Sequence, residues 1–96
     1  MTDREPHALV TALHEHLEAT QERPVERMAS RWIGEAEAVA GDIAGADVTE
    51  DVIHERVGHV EELLAHVEST EDELADEHLG TAKELTRQIL EVTGAE

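Results

Sequence analysis

Between His54 and His66 the chain reads HERVGHVEELLAH, three histidines and three glutamates in thirteen residues. Imidazole nitrogen and carboxylate oxygen are both good donors to a divalent metal. On a helix, His59, Glu62 and His66 stand at i, i+3 and i+7 and run along one side. The same spacing suits a solvated helix edge. At about 100° per residue the apolar centre of this stretch passes through Val60, Leu64 and Val67. His59 and His66 flank that centre, beside Glu55 and Glu62. A bundle-type di-iron centre needs a Glu-x-x-His on each of two helices. No histidine here completes that motif, and Asp51-Val-Ile-His54 is the nearest approach. The expectation is a wet helix edge, with the metal triad as the alternative.

His78 falls within the apolar arc of its own segment, near Ala82 and Ile89. A half-buried histidine there needs a hydrogen-bond partner, from a threonine or a carboxylate. The sharper reading is a pH-sensitive or ligand-contacting group. His16 is read in the same way.

Arg23, Arg27 and Arg31 repeat every four residues and form the one cationic stripe of the chain. Guanidinium groups in a row can hold a phosphate or a partner's acidic surface. Local pairing with Glu26, Glu35 or acids of an adjacent helix would occupy them instead. Glu15-His-Leu-Glu18 and Glu73-Leu-Ala-Asp76 match the short acidic pairs with which all-α nucleotide pyrophosphohydrolases hold magnesium. The dense acidic motif expected on a second central helix is missing. No Ser/His/Asp arrangement, Gly-rich phosphate loop or zinc-finger spacing is present. The absence of cysteine removes thiol catalysis, thiolate metal sites and disulfides. No catalytic residue and no cofactor is therefore assigned.

Four segments carry an apolar period near 3.6 and must position these groups. The first spans 6–21, with Leu9, Val10, Leu13 and Leu17 on one face. The second spans 24–44 and opens on Pro24. Its Val25, Ala29, Trp32, Ala36, Val39 and Ile43 step 4-3-4-3-4, a heptad-like seam centred on Trp32. Met28, Ile33 and Ala40 widen that seam. The third spans 49–68, capped by Asp47 or Thr49, with Ile53, Val57, Val60, Leu64 and Val67 inward. The fourth spans 71–93 and begins with Thr70-Glu71-Asp72-Glu73, a capping-box pattern. Its inner side is Ala75, Leu79, Ala82, Leu85, Ile89 and Val92. Short connections make consecutive helices antiparallel neighbours. Gly34, Gly58 and Gly80 lie opposite the apolar stripes, where they cannot tighten the bundle's own core.

The chain has 96 residues, room for one small domain. Its formal charge is -17, and Lys83 is the only lysine. Leu, Ile and Val recur at helical spacing, so the chain reads as folded rather than disordered. At molar salt the Debye length falls to about 3 Å and carboxylate repulsion is largely screened. In composition and length the chain resembles the uncharacterised small acidic helical proteins of haloarchaea. That resemblance carries no motif and no functional residue. The negative field opposes nucleic acid, whose binding would also need more basic residues and aromatic platforms. No run of about 18 apolar residues exists to span a membrane, and no signal peptide is expected.

These observations point to one all-α domain over residues 1–96, an antiparallel four-helix bundle in a salt-adapted cytoplasm. It is read as a non-enzymatic interaction or self-association module whose partner is a second copy or another protein, with Arg23, Arg27 and Arg31 as candidate partner contacts. The alternative is a bundle that binds metal or a small ligand through His59, Glu62 and His66.

Overall fold

The computed structural model describes residues 5–94. It holds four helices: α1 (Pro6–Gln21), α2 (Arg27–Ile43), α3 (Glu50–Leu64) and α4 (Glu73–Gly94). No strand occurs among the described residues. Packing runs round a square, with α1 and α3 each lying against both α2 and α4. Cross-chain bonds fix the up-down order. The His7 ring at the start of α1 bonds the Val48 carbonyl of the α2–α3 link. His54 at the start of α3 bonds Thr93 at the end of α4. The long dimension is 38 Å, matching the roughly 33 Å length of a 22-residue helix such as α4.

Side-chain oxygens set all four helix starts, and two of these come from glutamate, an uncommon cap. Glu5 accepts from the Ala8 N–H at 2.9 Å, and Glu26 accepts from both Met28 and Ala29 at 3.0 Å. Thr49 caps α3 through the Val52 N–H. The second helix therefore begins three residues after Pro24, not at it. The Glu26 N–H is held by the Thr70 carbonyl at 2.9 Å, across the bundle end. That tie keeps Pro24 and Val25 in the link.

The fourth helix also starts differently from the expected capping box. Asp72, not Thr70, receives the Ala75 N–H at 3.0 Å. Glu71 sits at φ 63, the left-handed region, which breaks any helix running in from Thr70. Thr70 is fully buried and engages Asp76 instead. Its N–H and its hydroxyl both bond Asp76 Oδ1, at 2.7 and 2.8 Å. The third helix ends at Leu64 rather than near residue 68. The N–H groups of His66 and Val67 bond the carbonyls of Leu63 and Leu64, closing a tight turn. Val67 nonetheless stays buried. Its carbonyl takes the Lys83 ammonium at 2.7 Å.

The core is formed by Leu13 and Leu17 of α1, Ile33 and Ala36 of α2, Ile53, Val57, Val60 and Leu64 of α3, and Leu79 and Ile89 of α4. On α2 the buried residues are Ala29, Ile33, Ala36, Val39, Ala40 and Ile43. Trp32 is not their centre. It is partly buried on the flank, packed against the core from outside. On α4, Thr86 takes the inward place expected of Leu85, with its hydroxyl bonding the Lys83 carbonyl at 2.7 Å. A buried hydroxyl without a partner would cost about 1–3 kcal/mol. Among the described residues no buried side-chain nitrogen or oxygen lacks a partner.

Candidate functional site

The cap at Glu26 fixes the first two turns of α2, and these carry the most unusual surface of the molecule. Arg27 and Arg31 form one ridge, and Met28 and Trp32 form the next. Met28 is 51 % exposed. The His66 ring lies on Trp32 with centroids 4.0 Å apart and planes 9° from parallel. Leu74, 48 % exposed, stands in the first turn of α4 at the same end of the bundle.

The arginine stripe is divided. Arg23 is bidentate to Asp72, at 2.9 and 3.2 Å, and so holds the α1–α2 link to the cap of α4. The guanidinium, together with the Ala75 N–H, holds the Asp72 carboxyl below the usual carboxylate range. Arg31 reaches Glu35 only at 3.8 Å, with both side chains more than half exposed. Arg27 is exposed and makes no ion pair among the described residues. Two guanidinium groups thus stand beside an exposed methionine and a half-covered indole.

The three residues of the sequence's metal triad are not gathered in one place. His59 and Glu62 line a shallow groove of about 580 Å³ with His54, Gly58 and Leu90. His66 lies past the end of α3, on Trp32. Among the described residues these three do not bring their ligand atoms together. Asp76, from the second acidic pair, is occupied by Thr70 and Ser69.

A different trio does converge. One donor atom each from His14, Glu18 and Glu37 lies within 4.8 Å of the others. His14 Nε2 is 2.7 Å from Glu37 Oε2 and 3.8 Å from Glu18 Oε2. His14 and Glu18 are one turn apart on α1, and Glu37 faces them from α2. Sequence reasoning missed the group because Glu37 is 23 residues from His14. The available signals were the His14–Glu18 spacing and a glycine, Gly41, on the facing helix.

His78 is half-buried, as its place in the apolar arc implies, but its partner is neither threonine nor carboxylate. Its Nδ1 lies 3.0 Å from Nδ1 of His16, joining α4 to α1. One ring must donate and the other accept, so the contact requires at least one imidazole to be neutral.

These features define a small, acidic, antiparallel four-helix bundle. The chain belongs to the family described as a domain of unknown function, DUF8152, which it matches over residues 9–96. No curated protein matches the chain. No solved structure matches it.

Proposed function

We propose that the protein is a non-enzymatic self-association module of a salt-adapted cytoplasm, pairing with a second copy through the amino-terminal half of α2. The observation that carries this reading is the exposed Met28, standing beside the Trp32–His66 stack and the two available arginines. Exposed apolar and aromatic groups with arginine are the composition of interface centres. The cationic patch is exceptional in a chain of net charge -17. Any second copy offers carboxylates on almost every other surface. Charge complementarity would orient such a pair, and the Met28–Trp32 ridge would supply its buried area. The net charge and the single lysine support the salt-adapted setting. No helix among the described residues is long and apolar enough to cross a membrane.

The test is sedimentation equilibrium in molar KCl, on the natural chain and on Met28→Asp and Arg27→Glu. A dimer that either substitution converts to monomer supports the proposal. A natural chain that stays monomeric up to its solubility limit overturns it. So does a dimer that neither substitution affects.

A further inference from the structure

We infer that His14, Glu18 and Glu37 form a binding site for one divalent transition-metal ion, bridging α1 and α2. The donor set is one imidazole nitrogen and two carboxylate oxygens, from two helices, all within 4.8 Å. Ligands held about 2.1 Å from one metal lie roughly 3.0–3.4 Å from each other. The two separations from His14 Nε2, 2.7 and 3.8 Å, bracket that edge. Small rotations of Glu18 and Glu37 would therefore admit an ion without moving either helix. His14 and Glu37 are half-buried while Glu18 is exposed, so water has access to complete the coordination. Mixed nitrogen and oxygen donors favour ions such as zinc over magnesium or calcium, which take oxygen alone.

Gly41 shows that the backbone accommodates this ring. A Cβ at Gly41 would lie 2.9 Å from His14 Nε2, the donor atom itself. Glycine inside a helix costs about 1 kcal/mol against alanine. Here it leaves the space in which the imidazole lies over α2, with Nε2 turned to Glu37.

The experiment is zinc titration by calorimetry in molar KCl, with circular dichroism to confirm the fold of each variant. The natural chain should bind one zinc per chain. Glu18→Gln and Glu37→Gln should each weaken binding at least tenfold. Gly41→Ala should do so too, while its helix content is retained. His59→Gln and His16→Gln should leave affinity unchanged. Absence of saturable binding overturns the assignment. Binding that survives both glutamine substitutions, or that is lost with His59 or His16, also overturns it. Should Glu37→Gln fail to fold, Gly41→Ala and Glu18→Gln decide the question alone.

Discussion

The His66 imidazole lies flat on the Trp32 indole, 4.0 Å between centroids and 9° from parallel. The contact joins the turn after α3 to the second turn of α2, and it covers one face of a tryptophan that the core does not enclose. Replacing Trp32 with alanine should cost about 1–3 kcal/mol, short of the 3–5 expected for a fully buried aromatic. His66→Ala should uncover that face, so tryptophan emission should shift to longer wavelength and become more accessible to acrylamide. Emission and quenching unchanged by that substitution would contradict the stacking.

Gly80 offers the opposite kind of test. A Cβ there meets nothing within 4 Å, and the residue is exposed in mid-helix. Gly80→Ala should raise stability by about 0.5–1 kcal/mol through helix propensity alone, read as a higher denaturant midpoint. A loss of stability would mean that another chain approaches α4 closely at this point.

His7 gives stability a dependence on pH above the ordinary imidazole range. Its Nδ1 is 2.9 Å from Glu5 and its Nε2 is 3.0 Å from the Val48 carbonyl. Only the imidazolium can donate to both. The Glu5 carboxylate, then the Val48 carbonyl, hold the proton on His7, raising its affinity above the ordinary imidazole value. A group whose proton is held more tightly in the folded state stabilises fully below its unfolded value. That contribution is lost as pH rises through the folded one. His7 should titrate at higher pH in the native protein than in urea, by NMR of the ring protons. His7→Gln should remove this part of the loss.

The capping carboxylates act in the other direction. Backbone N–H groups of Met28 and Ala29 lower the Glu26 value, Arg23 and then the Ala75 N–H lower that of Asp72, and Thr70 lowers that of Asp76. Their stabilisation is present above the unfolded carboxylate range and lost as pH falls below it through the folded values. At molar KCl, thermal midpoints should drop on that acid side. At low salt the drop should be smaller, because protonation also relieves carboxylate repulsion.

Salt itself should control folding. The chain carries -17, and no helix has a basic residue in its last turn. Dilution from molar KCl to about 0.05 M extends screening beyond roughly 10 Å, far enough for charges on adjacent helices to repel. Circular dichroism should show a lower thermal midpoint and loss of helix. An unchanged midpoint would exclude a role for charge repulsion.

The sequence by itself determined the number and type of the elements. Apolar residues at a period of 3.6 and short polar links leave few alternatives to a four-helix bundle. Which of two neighbouring residues points inward was not determined locally. On α2 the lines through Trp32 and through Ile33 share Ala29, Ala36 and Ile43, and on α4 Leu85 adjoins Thr86 in the same way. Size favoured Trp32 and Leu85. Packing against α3 and α1 placed Ile33 and Thr86 inside, since a threonine hydroxyl can bond its own helix carbonyl. The helix ends were likewise set from outside, by the Glu26–Thr70 tie and by Asp76 on Thr70. The candidate site shows the same division. His59, Glu62 and His66 were visible because they are near in sequence, but their ligand atoms do not converge among the described residues, and the His66 ring lies on Trp32. His14 and Glu37 meet only because α1 lies antiparallel to α2 and Gly41 leaves the imidazole room.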